Sequence, residues 1–101
     1  PYRYLIDCYS CIAEMLTGDF ENAIAYGKTS LSYVPDFAPT LRYLLATHLA
    51  VGDTIAAEKT FMRLKELEPD FELSLLAEPE YPTPLMKKYK FIDMKKLPKL
   101  L

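Results

Sequence analysis

Two stretches decide how this chain folds: GDFENAIAYGKTSLSYVPDF, residues 18–37, and GDTIAAEKTFMRLKELEPDF, residues 52–71. They lie 34 residues apart, a period in the range of helical repeats. Under that shift Gly18 meets Gly52, Asp19 meets Asp53 and Ala23 meets Ala57. Pro35-Asp36-Phe37 meets Pro69-Asp70-Phe71, and upstream Tyr9 meets Tyr43. These are residue types that end, cap or pack helices. A Gly can take the left-handed conformation that closes one helix, the Asp after it can cap the next, and a Pro stops that helix.

Working outward, each half reads as two helices. YLIDCYSCIAEML (4–16) and APTLRYLLATHLA (38–50) supply the first of each pair. In the helices that follow, Phe20, Ala23, Ile24, Gly27 and Leu31 recur every three to four residues, as do Ala57, Phe61 and Leu64. Leu41, Leu44, Leu45, His48 and Leu49 follow the same period. Nothing alternates long enough for a sheet, so the expected fold class is all-α, with two helical repeats over 4–37 and 38–71.

A helix–turn–helix unit of 34 residues resembles the tetratricopeptide repeat. Cys11, Gly18-Asp19-Phe20, Ala23 and Pro35 match its pattern in the first unit, and Gly52-Asp53, Ala57, Phe61 and Pro69 in the second. The sequence departs at Leu45, where a small residue is usual, at Gly27, where an aromatic is usual, and at Thr54, where the turn aromatic is missing. More narrowly, AEMLTGDFENAIAYGKTSL and the KKLP near the end look like the C-terminal repeat region of bacterial transcription regulators and adenylate cyclase-like signalling proteins. The resemblance implies a non-catalytic protein-binding scaffold, and two cysteines in 101 residues, too few for a disulfide framework, point to a cytoplasmic, reducing setting. It also implies a groove lined by the first helix of each pair, with Tyr9, Ile12, Met15, Arg42, Tyr43 and Leu49 as contacts. In that groove Arg42 would receive a carboxylate or carbonyl, and the occupant would be an apolar helix or an extended peptide.

Cys8 and Cys11 are the only cysteines, spaced C-x-x-C. A redox pair normally lies at a helix N-terminus after a strand, where the dipole lowers a thiol pKa. Here a helical run precedes them. A structural zinc site wants four ligands, and His48 is the only histidine to add. Packing is the favoured reading for both cysteines, with a redox or metal-linked sensor as the alternative. No cofactor or metal is expected. His48 reads as a partly buried structural residue, and the aspartates at the turns read as caps.

The first helix is polar only at Arg3, Asp7, Ser10 and Glu14 between Tyr2 and Leu16. A helix so apolar needs cover on two sides. The chain starts at Pro1 rather than Met, so a fragment of a longer protein is expected. The second cover is then an upstream repeat, a partner, or a dimer through residues 2–16.

Net charge is −2, unevenly spread. Residues 81–101 carry six lysines against Asp93, and residues 1–80 carry six basic against thirteen acidic residues. After Phe71 the sequence reads as a short helix, a bend at Pro79, Pro82 and Pro84, and a last helix over LMKKYKFIDMKKL (85–97) that caps the array. Six lysines without an arginine are weak grounds for nucleic-acid binding. No apolar run approaches the length of a membrane span.

Overall fold

The computed structural model describes residues 2–72, and these form four α-helices with no strand among them. They are α1 (Arg3–Thr17), α2 (Phe20–Tyr33), α3 (Ala38–Val51) and α4 (Thr54–Leu67). The short helix, proline bend and capping helix expected over 72–101 lie outside the described residues, apart from Glu72.

The two tight turns are built alike. Gly18 ends α1 at φ 87° and Gly52 ends α3 at φ 77°, both left-handed, where a Cβ would be strained. The Asp19 amide reaches back to the Glu14 carbonyl at 2.9 Å, and the Asp53 amide reaches that of His48 at 3.0 Å. Each Asp then caps the next helix: Asp19 accepts from the Asn22 amide at 3.2 Å and Asp53 from the Ala56 amide at 3.1 Å. Thr54, without the turn aromatic, leaves this geometry unchanged.

α1 packs on α2, α3 on α4, and α3 also meets both helices of the first hairpin. Cys11, Met15, Ala23, Leu41, Leu45, Ala46, Ala57 and Leu64 form the centre of one core. Between α2 and α3 the contact is very close. Gly27 is buried, and a Cβ placed on it would stand 2.6 Å from Leu44 Cγ.

The two Pro-Asp-Phe turns place their rings differently. Phe71 packs against Phe61 at 6.0 Å between centroids, tilted by 57°. Its counterpart Phe37 has only Gly27 at the matching position, and packs instead edge-on against Tyr4 of α1 at 4.9 Å. That leaves the space beside Gly27 to Leu44.

Polar groups fasten the same junction. The Ser30 hydroxyl lies 2.8 Å from the Thr40 hydroxyl and donates to the Tyr4 carbonyl at 2.9 Å, joining α2 to α3 and α1. The Ser30 and Thr40 hydroxyls are buried, so their mutual bond replaces the water they have lost. At the far end Lys65 donates to the carbonyls of Pro69 (2.8 Å) and Phe71 (2.9 Å), closing the turn after α4.

Candidate functional site

α1 has a distinct inside and outside. Asp7, Cys8, Cys11 and Met15 are buried on one side. The opposite side carries Tyr2, Ile6 and Tyr9, which are 68%, 58% and 65% exposed, and it continues to exposed Ala13. Such a row of large apolar side chains on a folded surface marks an interaction face more often than a lone exposed residue does.

The groove residues divide accordingly. Tyr9 is exposed, Ile12 and Leu49 are half-buried, and Tyr43 is half-buried with its ring against the core. Tyr43 is brought close to α1: burial raises its hydroxyl pKa first, Cys8, Cys11 and Tyr9 add to the rise, and Arg42 opposes it. Tyr9 and Tyr43 therefore lie near one another where α1 meets α3. Met15 is not at this surface. It is wholly buried in the core, because the Cys8–Cys11–Met15 spacing puts all three on the inner side of α1.

Arg42 is engaged within the chain. Its guanidinium grips Glu68, at the end of α4, with two parallel bonds, one of them Nε to Oε1 at 3.1 Å. Two-pronged pairing of this kind is the strong form of an Arg–carboxylate contact. A partner's carboxylate would have to displace Glu68.

No protein-family model, curated protein or solved structure with which the chain was compared matches it.

The cysteines are free and buried. Burial pushes both thiols up, Cys11 to about 12, while a hydrogen bond from Thr40 tempers the shift at Cys8. At neutral pH both are held as thiols, the form that is neither nucleophile nor metal ligand. Among the described residues no three His, Cys, Asp or Glu side chains gather as a metal would require. No described helix is long and apolar enough to cross a membrane.

His48 is buried near the end of α3, and its Nδ1 has no hydrogen-bond partner among the described residues. Burial lowers its pKa, Lys28 lowers it further, and Asp53 works against them. It is held as a neutral core residue.

Tyr2, Ile6 and Ala13 fall within the span 2–16 expected to dimerise, but the sequence reading did not single them out. A signal was present: once Asp7, Cys8, Cys11 and Met15 are assigned inward, positions 2, 6, 9 and 13 remain as the opposite face at helical spacing.

Proposed function

We propose that this chain is a non-catalytic protein–protein interaction module of tetratricopeptide type, working in the cytoplasm within a larger bacterial regulatory or signalling protein. The observation that carries this reading is the apolar side of α1 left exposed among the described residues, which runs into the Tyr9–Tyr43 seam. A buried, bonded core does not need those side chains at the surface, and exposing them costs solubility. The repeat-like recurrence of turns and caps supports the scaffold part of the reading, and the two free thiols agree with a reducing compartment.

The seam offers Tyr9, Ile12, Tyr43 and Leu49 as contacts. Met15 supports them from beneath, and Arg42 fixes the α3 side through Glu68. Rigid aromatic rings at low entropic cost suit such a surface. The test is affinity capture with the native chain, a Tyr9→Ala/Tyr43→Ala variant, and an Ile55→Ala/Met62→Ala control on the exposed side of α4. A partner lost only by the first variant, with helicity unchanged, supports the reading. Equal capture by all three sinks it.

A further inference from the structure

The exposed stripe on α1 has a symmetry of its own. Positions 2, 6, 9 and 13 are separated by four, three and four residues, so the stripe reads alike in both directions. The flanks are ordered too. Arg3, 62% exposed at its side chain, stands near the start of the helix, and Glu14 stands near its end on the same flank. The other flank holds half-buried Leu5 and Ile12.

We propose that a second copy of this chain covers the stripe, the two α1 helices packing antiparallel about a two-fold axis. This deepens the interaction reading above and rests on it. The axis passes between positions 7 and 8. Tyr2 then lies over the partner's Ala13, large against small, and Ile6 meets the partner's Tyr9. Such an axis keeps each flank beside its own copy. Arg3 therefore comes alongside the partner's Glu14, offset by about two residues or 3 Å along the helix, and Glu14 alongside the partner's Arg3. Arg3 bonds Asp7 through Nε at 3.3 Å, which leaves its terminal nitrogens for this contact. Leu5 and Ile12 close the opposite flank. The four–three–four spacing is common to helical stripes, so the crossed Arg3–Glu14 pairs are what favour a second copy over a helix of unrelated sequence.

α3 shows that part of this face accepts a helix. Under the 34-residue shift Ile6 corresponds to Thr40 and Ala13 to Thr47, while Tyr9 corresponds to half-buried Tyr43. Thr40 and Thr47 are buried, with Thr40 bonded to Ser30 of α2.

One helix pair covers less than the roughly 1,600 Å² of a standard interface, so dissociation is expected on the order of 10–100 µM. Molar mass of the full chain is measured by light scattering and sedimentation from about 1 µM to about 1 mM, spanning that constant. The mass should rise from one chain to two. Ile6→Glu should hold it at one chain with helicity unchanged, and with melting unchanged at concentrations where the native chain is itself a monomer, because Ile6 is exposed. Glu14→Lys should weaken association about tenfold or more by setting like charges together. A spin label on Thr17→Cys, which the buried native cysteines will not compete for, reads the direction: about 30 Å between labels for antiparallel helices, about 10 Å for parallel ones.

A monomer across the whole range overturns the dimer, as does an undiminished dimer in Ile6→Glu or a short label distance. A monomer whose partner capture still depends on Tyr9 and Tyr43 overturns the dimer alone. Loss of that dependence as well overturns the interaction reading.

Discussion

Gly27 and Leu44 share one space. Leu44 of α3 occupies the volume that any side chain at position 27 of α2 would need, with a Cβ there falling 2.6 Å from Leu44 Cγ and Cδ2. A glycine in mid-helix normally weakens it, so its presence here is explained by the close approach of two helices.

Gly27→Ala is therefore expected to destabilise the fold although alanine is the better helix former. Overpacking costs about 1–3 kcal/mol, and helix propensity returns about 1 kcal/mol. The net loss should be about 1 kcal/mol in chemical denaturation. In a double-mutant cycle with Leu44→Ala, the pair should cost less than the sum of the single changes. Additive losses would show that the two side chains do not compete.

Ser30 and Thr40 make a second testable junction. Ser30→Ala leaves the buried Thr40 hydroxyl with only the Cys8 sulfur, a weak partner, and should cost about 1–3 kcal/mol. Ser30→Ala with Thr40→Val removes both sides, and most of that loss should return. A double variant as weak as the single one would show that the Tyr4 carbonyl contact matters more than the hydroxyl pair.

His48 sets a pH dependence. Its folded pKa lies below the ordinary 6.5, chiefly through burial. The unfolded chain therefore binds the proton more readily than the folded one. The stabilising contribution of the neutral ring is present above about pH 6.5 and is lost as pH falls through the folded pKa. Urea midpoints should drop between pH 7.5 and pH 5. His48→Leu, which also removes the unpartnered Nδ1, should flatten that slope and leave stability near pH 7.5 equal or higher. An unchanged slope would assign it to other groups.

The thiols should be inert in the folded chain. With Cys11 held near 12 and both sulfurs buried, a thiol reagent at pH 8 should label the native protein only as fast as it opens. In denaturant it should label two thiols per chain at once. Rapid labelling of the native protein would restore the redox reading of Cys8 and Cys11.

Helix number and order were legible from residues 18–19 and 52–53, because a left-handed glycine followed by a capping aspartate acts within a single turn and needs no distant partner. The observed helices keep to the bounds that these residues and Pro35 and Pro69 imply. The groove was less legible. Met15 and Tyr9 both belong to an apolar helix, and their separation into core and surface depends on where α2 and α3 press against it. Arg42 reads as an open cation in sequence, but Glu68, 26 residues away, meets it in space.

The sequence by itself determined the all-α class, the two tight turns and their caps, since each rests on the conformational limits of a few adjacent residues. Only the tertiary structure decided which side of α1 faces inward, that Phe37 turns to Tyr4 while Phe71 turns to Phe61, and that Leu44 fills the space beside Gly27. Those outcomes depend on volume shared between segments distant in the chain, where every side chain competes with neighbours that local pattern does not identify.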